Sequence, residues 1–343
     1  MKNQFSRAYL RFSWITLVFI YLVIIAGSVV RTTGSGMGCP DWPKCFDQVI
    51  PPTNEAQLPD NYKDKYRSYR VEKVERFAGF LETIGLDETA SELRQDESLL
   101  IEQDFNAAKT WTEYGNRLVG FLAGNFVLIL FIWTFIRYRS NRKLLWLTLI
   151  NLILMGIEGW FGSIVVATNL LPWTITLHMF LALVIVGIHI KIIRIIRNKS
   201  YQLKIKPVFK SLFYFALLLT FIQIILGSQV RQEIDFMVKD DMSRADWIAN
   251  MRGDFYFHRS FSWVLLAVNL ALLYLNRKWS LGIPTLKYIV GLLIIEFVTG
   301  VLFSYAGMPA FTQPVHLLTA AVLLGLQFYT LSYFKYTRDS MLT

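Results

Sequence analysis

The stretch WTEYGNR, residues 111–117, marks the point where a long polar segment runs into an apolar one that begins at Leu118. Asn116 and Arg117 follow Glu113 by three and four residues, so on a helix the three side chains share one face. Charged residues at the mouth of an apolar helix often serve only as anchors at the membrane surface. A functional role gains weight because the chain repeats this architecture later, with a histidine in place of Asn116.

The apolar segments define the class of protein. Of the 343 residues 54% are hydrophobic, and eight runs of roughly 20 residues can each cross a hydrocarbon core of about 30 Å. Backbone polar groups inside such runs must be satisfied internally, so the runs are helices. The sequence therefore predicts an all-α integral membrane protein with eight transmembrane helices, the first of which is not a cleaved signal. The predicted runs are 12–30, 117–137, 144–168, 174–193, 209–230, 257–276, 285–305 and 314–334.

Basic residues indicate the orientation of these helices. They concentrate before the first run, in every second connection and in the C-terminal tail, whereas the alternate connections are acidic or uncharged. By the positive-inside rule both termini are cytoplasmic, and the first connection, about 31–112, is a large extracytoplasmic loop. The net charge of +10 reflects this topology and gives no support to nucleic-acid binding.

The first extracytoplasmic loop holds the two cysteines, Cys39 and Cys45, with two prolines between them. This short spacing suits a disulfide in an oxidising compartment, and the alternative is a pair of free thiols. A metal site is disfavoured because the loop contains no histidine. Further along, apolar residues at helical spacing over 62–84 predict an amphipathic helix lying on the outer surface, and a second short helix is expected around 89–104.

The second half of the chain repeats the first. Four landmarks recur in the same order, and each half contains four apolar runs. Both halves therefore start on the inside, and the repeat is parallel, with a pseudo-two-fold axis along the membrane normal. We predict two pseudo-symmetric four-helix bundles, formed by residues 1–200 and 201–343. The matched landmarks are Gly27–Arg31 with Gly227–Arg231, Asn116-Arg117 with His258-Arg259, Glu158 with Glu296, and His178 with His316.

Two histidines of the second half, His258 and His316, lie at the outer ends of their helices and so at one depth. Facing histidines in a four-helix bundle can hold a heme iron between two imidazoles. Isolated interfacial histidines are more often satisfied by backbone or water, but the repeat and the total of only four histidines favour heme. Arg231 and Arg259, at the same edge, suit heme propionates or act as interface anchors.

The first half differs at one position of this pattern. His178 matches His316, but the position matching His258 is Asn116. An amide is a poor iron ligand compared with imidazole. We therefore expect a heme in this half to be held by His178 alone, with the Asn116 side open or occupied by water.

Three further polar residues lie inside the apolar runs. Glu158 and Glu296 fall near mid-membrane, where carboxylates are costly unless protonated or paired. They either hydrogen-bond between helices, which we favour, or serve a proton path. His189, eleven residues after His178, is expected at the inner membrane interface beside Lys191.

The order of these features resembles the heme A synthase family, membrane enzymes that convert heme O to heme A for cytochrome oxidase. The resemblance covers nearly the whole chain, and the loop GSGMGCPDWPKC, residues 34–45, is its most distinctive motif. The chain departs from the family motif Glu-x-x-His-Arg at Asn116, and it lacks the second cysteine pair that some members carry in a later loop. The other matching features are GSVVR at 27–31, EYGNR at 113–117, GWFGSIVV at 159–166, His178, His258-Arg259 and His316.

The resemblance implies an oxidoreductase that oxidises a methyl group of heme O to the formyl group of heme A by successive hydroxylations. It implies heme B as an electron-transfer cofactor on His258 and His316. It also implies a substrate heme in the first half, with His178 as a ligand and Glu113 as the essential catalytic residue. By analogy between the halves, Arg31 and Arg117 are expected at the propionates of the substrate heme.

The family also suggests a location and partners. The location is the bacterial inner (cytoplasmic) membrane, and the substrate is heme O. Heme O synthase (protoheme farnesyltransferase), oxidase assembly factors and a second copy of the chain are candidate partners. One alternative is a heme-binding electron-transfer or heme-delivery protein without catalysis, which Asn116 favours. A transporter, suggested by the repeat, is disfavoured because the apolar runs contain few prolines.

Overall fold

The computed structural model describes residues 5–198 and 203–334. Within these ranges the chain forms eleven α-helices, short 3-10 segments and one isolated antiparallel bridge between Cys45 and Gln48. The helices are α1 (Arg7–Thr32), α2 (Tyr62–Thr83), α3 (Asp87–Gln95), α4 (Ala107–Arg137), α5 (Arg142–Ala167), α6 (Pro172–Arg197), α7 (Pro207–Lys239), α8 (Trp247–Asn250), α9 (Gly253–Lys278), α10 (Thr285–Tyr305) and α11 (Thr312–Thr330). Eight of those described, all except α2, α3 and α8, are long and apolar enough to cross a membrane. The prediction of an all-α membrane protein with eight spans is confirmed.

Helix α4 begins earlier than the apolar run predicted. It starts at Ala107, ten residues before the predicted start, so Glu113 and Arg117 lie on its second and third turns and not in a loop. The side chain of Asn106 accepts a hydrogen bond of 3.0 Å from the backbone N–H of Lys109 and thereby caps the helix. Hydropathy predicts only the apolar part of a helix, whereas the capping residue determines where the helix starts.

Helix α7 also exceeds its apolar run. It continues to Lys239, so the prediction that Gly227–Arg231 ends the helix is wrong. The matching stretch of the first half does end a helix, because α1 stops at Thr32. The extension of α7 is held by packing that hydropathy does not report, since Ile234 and Met237 are buried against Trp247 of α8.

Contacts divide the chain into two compact units. One comprises Leu22–Ile185, and the other comprises the chain up to Tyr21 together with Val186 onward. The division falls inside α1 and α6, whereas the sequence repeat divides the chain near residue 200. The arrangement as two pseudo-symmetric bundles, 1–200 and 201–343, stays a prediction.

In the unit that contains Val186 onward, four helices close a ring. Helix α7 packs on α9, α9 on α10, α10 on α11, and α11 on α7. At the end where α7 and α10 begin, the ring is filled by aromatic and aliphatic side chains such as Phe213, Leu272 and Ile289. In the same unit His189 of α6 is fully buried, with its Nε2 2.9 Å from the carbonyl oxygen of Ser13. The ring of His189 is thus enclosed by protein, and its expected depth at the inner membrane interface stays a prediction.

In the Leu22–Ile185 unit, α2 packs on protein. Its Val74, Phe77 and Leu81 are buried against Leu93 of α3 and Phe161 of α5. The predicted amphipathic helix exists, but its apolar face is covered by α3 and α5. The second predicted helix is shorter than expected, because α3 ends at Gln95 and a separate 3-10 turn follows.

Arg70 of α2 fixes the long loop between α1 and α4 to the membrane helices. Its side chain is 2% exposed and makes a two-pronged ion pair with Glu102, at 2.7 and 2.9 Å. It also donates a hydrogen bond of 3.2 Å to the carbonyl oxygen of Val166 on α5. The loop is thus tied to the C-terminal end of α5 by a buried charge.

We expect Arg70→Met to open this loop. Removing one partner of a buried ion pair costs about 3–5 kcal/mol, because the remaining charge is left buried and unpaired. Limited proteolysis of the purified protein should therefore cleave the loop roughly 100-fold to several thousand-fold faster in the variant. Arg67→Met, at an exposed position of the same helix, is the control. Equal cleavage rates for Arg70→Met and wild type would contradict the prediction, and adding Glu102→Leu should restore part of the protection.

Candidate functional site

Two imidazole rings, His258 on α9 and His316 on α11, face each other. Their centroids are 6.3 Å apart with an interplanar angle of 71°. Two imidazoles that each place a nitrogen about 2 Å from one metal ion have centroids roughly 6 Å apart, so the spacing fits a shared iron. Among the described residues, no group hydrogen-bonds the buried Nδ1 of His258. A Cβ at position 227 would lie 3.1 Å from Cε1 of His258, so Gly227 of α7 makes room for the ring.

A carboxylate holds the second imidazole. Nδ1 of His316 lies 2.8 Å from Oε2 of Glu296 and 2.6 Å from the hydroxyl of Thr299, both on α10. The hydroxyl of Thr319 in turn donates to Oε1 of Glu296. Because Nδ1 is engaged with α10, Nε2 is the nitrogen of His316 that remains for a metal ion.

The two arginines near this pair have different surroundings. Arg231 forms an ion pair of 2.9 Å with Asp235 and donates a hydrogen bond of 2.5 Å to Gln313. Arg259 is exposed, and its guanidinium lies over the rings of Phe255 and Tyr256, at 5.9 and 5.3 Å from their centroids. Among the described residues, Arg231 is thus paired with an acidic side chain of its own helix, and Arg259 is not.

The Leu22–Ile185 unit contains the matching histidine, His178 of α6. Its Nδ1 lies 3.1 Å from Oε1 of Glu158 on α5. The ring stacks on Phe161, with centroids 6.3 Å apart, and a Cβ at Gly162 would lie 3.4 Å from Cε1 of the ring. The structure therefore brings together the matched carboxylate and histidine in both units.

Across from Gly27 of α1 lies Asn116 of α4. A Cβ at position 27 would be 4.0 Å from Oδ1 of Asn116, just as a Cβ at Gly227 would meet His258. Glu113, one turn before Asn116, is 4% exposed. Its carboxylate interacts with the Asn116 side chain and, electrostatically, with His178. An amide, a buried carboxylate and a single histidine are thus grouped in this unit.

Arg117 connects this group to the disulfide loop. Cys39 and Cys45 form a disulfide, which confirms the prediction from their spacing. Arg117 donates to the carbonyl oxygens of Cys39, Asp41 and Lys44, at 2.8, 2.5 and 2.9 Å. Its Nε donates to Oε1 of Glu113 at 3.0 Å. These bonds use four of the five guanidinium N–H groups, so they leave one N–H of Nη2 for a propionate.

The loop itself is stiffened by two acidic residues. The carboxylate of Asp41 is buried and accepts hydrogen bonds from the backbone N–H groups of Phe46 and Asp47, at 2.6 and 2.8 Å. Lys65 of α2 forms an ion pair with Asp47 and holds the pKa of that carboxyl below its usual range. The loop is therefore anchored on α2 at one side and on Arg117 at the other.

Sequence reasoning missed the carboxylate–imidazole contacts. The sequence did contain a pattern that could have predicted these contacts. Glu158 precedes His178 by 20 residues, and Glu296 precedes His316 by the same 20. The roles of Arg70 and Asp41 had no comparable signal, since both residues act through contacts with segments distant in the sequence.

Comparison with known proteins identifies relatives along the chain. The family model COX15-CtaA, cytochrome oxidase assembly protein, matches residues 10–82 and 87–328. A protein named heme A synthase from Methylorubrum populi is 31% identical over 47% of this chain and 36% of its own length. One of the same name from Shewanella oneidensis is 27% identical over 48% and 38%. Another, from Flavobacterium psychrophilum, is 23% identical over 98% and 100%.

These alignments differ in extent. The chain spans little more than a third of the length of the Methylorubrum and Shewanella relatives, and the whole length of the Flavobacterium one. The family model covers most of the eight membrane helices and the loop with the disulfide. The resemblance noted in the sequence is confirmed.

Proposed function

Because the chain belongs to the COX15-CtaA family of cytochrome oxidase assembly proteins, we propose that it is a heme A synthase. It is then an oxidoreductase that converts a methyl group of heme O to the formyl group of heme A by successive hydroxylations. The observation that carries the proposal is the difference between its two histidine sites. One site pairs His258 with His316, whereas the other combines His178 with an amide and the buried carboxylate of Glu113.

The paired site suits a resident cofactor. In the proposal His258 and His316 hold heme B in the C-terminal half, 201–343, with Arg231 and Arg259 near its propionates. A heme with two imidazole ligands transfers single electrons, which this oxidation requires. The contacts of His316 with α10 and of His258 with Gly227 keep both rings in place.

The unpaired site suits the substrate. Here heme O binds in the N-terminal half, 1–200, with His178 as its protein ligand and Asn116 on the opposite side. No described side chain in this site can attack an unactivated methyl group, so the oxidising power belongs to the iron porphyrin itself. What the chain contributes is position. His178 and Asn116 orient the substrate, and Arg31 lies at the outer end of α1, at the level expected for a propionate.

Glu113 is the residue proposed to move protons. Two hydroxylations of a methyl group remove four electrons, which dioxygen or another external oxidant takes up, and give a geminal diol that loses water to leave the formyl group, so protons must be exchanged at the substrate. The carboxylate is buried and held by Arg117 at 3.0 Å, so it keeps one position relative to Asn116. A fixed carboxylate within reach of a bound water is the arrangement that general acid–base catalysis uses.

The alternative is a heme-binding electron-transfer or heme-delivery protein without catalysis. Asn116 favours it, because an amide stands where the family motif has a histidine. Extraction of pigments from the protein purified from cells that make heme O distinguishes the two. Heme A or heme O beside heme B supports the synthase, and heme B alone supports the alternative. The absence of heme A after incubation with heme O, both with dioxygen and a reductant and with an external electron acceptor, contradicts the synthase.

The proposal includes the cell location. The protein is placed in the bacterial inner (cytoplasmic) membrane with both termini cytoplasmic, following the distribution of basic residues. The disulfide agrees with an extracytoplasmic first loop, because disulfides persist in oxidising compartments. Heme O synthase and oxidase assembly factors are the proposed partners, since the first would supply the substrate.

We expect Asn116→His to change the spin state of the substrate heme. In wild type a heme on His178 with an open or water-bound opposite side is high-spin, and an added imidazole converts it to six-coordinate low-spin. Absorption and electron paramagnetic resonance spectra of the heme O-loaded protein measure the change, with Asn116→Gln as the control. A wild-type spectrum that is already low-spin at this heme, and that Asn116→His leaves unchanged, would contradict the open site.

A further inference from the structure

The same carboxylate–imidazole contact occurs in both units. Glu158 of α5 lies 3.1 Å from Nδ1 of His178, and Glu296 of α10 lies 2.8 Å from Nδ1 of His316. In each case the carboxylate belongs to the preceding helix, and in each case Nδ1 is the nitrogen it meets. His258 lies against the backbone at Gly227 and has no carboxylate within ion-pair distance among the described residues. One histidine in each half of the repeat therefore has a carboxylate beside its Nδ1.

A carboxylate at Nδ1 has a defined effect on a metal-binding histidine. It accepts the Nδ1–H, which fixes the tautomer with the lone pair on Nε2 and fixes the orientation of the ring. The negative charge beside the ring also makes the imidazole a stronger donor to the metal. A stronger donor stabilises the more oxidised state of the metal. In this structure both carboxylates lie within ion-pair distance of Nδ1, but the hydroxyl of Thr299 makes the hydrogen bond at Nδ1 of His316, and Nδ1 of His178 is not aligned for one. The charge effect needs only this proximity and a metal ion on the far nitrogen.

We propose that Glu158 and Glu296 are positioning residues that orient His178 and His316 for iron, a proposal that rests on the heme sites of the proposed function. The burial of both carboxylates supports it. Glu158 is 8% exposed, and the side chain of Glu296 is 14% exposed. A buried carboxylate in a membrane helix is costly unless it is paired, and in each unit the histidine is the pairing group.

The two carboxylates are held differently. Glu296 is bound on both oxygens, by Thr319 at Oε1 and by His316 at Oε2. Oε2 of Glu158 is buried and has no hydrogen-bond partner among the described residues. The residues of the first half that match Thr299 and Thr319 are Phe161 and Leu181, which cannot hydrogen-bond a carboxylate. The His316 ring is thus fixed more firmly, as suits a permanent ligand, whereas the substrate site keeps one free carboxylate oxygen.

The test uses the purified holoprotein with its heme B and two variants at position 296. Glu296→Leu removes the acceptor, and the loss of such an outer partner weakens metal binding roughly tenfold to 100-fold, so heme B content should fall accordingly. Glu296→Gln keeps an acceptor oxygen but removes the charge, so the heme should remain and its midpoint potential should rise. A tenfold change in the ferric-to-ferrous equilibrium corresponds to 59 mV for this one-electron couple. Ser304→Ala, two turns further along α10, is the matched control.

Each outcome decides between the possibilities. Unchanged heme content and midpoint potential in Glu296→Gln and Glu296→Leu would overturn the proposal and leave Glu296 as an interhelical neutral acid. If Glu296→Leu does not fold, the midpoint potential of Glu296→Gln decides alone. A wild-type protein without a low-spin heme B spectrum would instead refute the heme B site of the proposed function. Glu158→Gln should change the spectrum of bound heme O without altering the heme B midpoint.

Discussion

Glu113→Gln is expected to reduce heme A formation by roughly 100-fold to 10,000-fold, the usual contribution of a general acid–base residue. The amide has nearly the volume of the carboxylate and can still accept a hydrogen bond from Arg117, but it cannot take up a proton at neutral pH. Heme B content should stay as in wild type, because His258 and His316 belong to the other unit. Pigment chromatography after incubation with heme O measures the product.

The controls separate proton transfer from a structural effect. Thr112→Ala changes the preceding residue, whose hydroxyl bonds the backbone of Ala108 within α4, and should form heme A like wild type. Glu113→Asp keeps the carboxyl group and should retain part of the activity. A Glu113→Gln protein that forms as much heme A as wild type would refute the catalytic role, and so would equal losses in Thr112→Ala.

His258→Ala and His316→Ala are expected to abolish or convert the low-spin heme B spectrum. Each removes one of two facing imidazoles whose centroids are 6.3 Å apart, so the iron would lose a strong axial ligand. Heme A formation should fall as well, because electrons would no longer pass through this heme. Absorption spectra of the reduced and oxidised protein, and electron paramagnetic resonance, measure the loss.

His189 provides the control for this experiment. It is buried, and its Nε2 contacts the backbone of Ser13, so His189→Gln alters a histidine of the same unit without touching the pair. Its spectrum should match wild type. Added imidazole should restore a low-spin spectrum to His316→Ala if the cavity left behind admits the ligand. Normal low-spin spectra in both His258→Ala and His316→Ala would refute the assignment of these ligands.

The surroundings of the histidines would give the two proposed heme sites different roles. The repeat places a histidine on α6 and on α11, each beside a carboxylate of the preceding helix. The difference arises at one matched position, where α9 has His258 and α4 has Asn116. In the proposal this substitution leaves one face of the substrate heme for the reaction, while the other heme is closed by two ligands.

Several properties of this protein followed from its sequence alone. The eight spans, the helical class and the disulfide between Cys39 and Cys45 could be predicted because each depends on local information, namely apolar run length and short cysteine spacing. His258 and His316 could be paired because both lie at the outer ends of their helices, which places the two side chains at one depth. The order of the landmarks also identified the family.

Tertiary structure alone decided the contacts that complete the sites. Arg117 binds carbonyl groups of a loop more than 70 residues earlier in the chain, and Arg70 reaches Val166 on another helix. Hydropathy placed the start of α4 ten residues too late, because the polar turns from Ala107 onward are held by a cap and by the loop and not by lipid. Spacing along a chain specifies which residues share a helix face. The direction in which that face points, and therefore which partner it meets, depends on how the helices pack against one another.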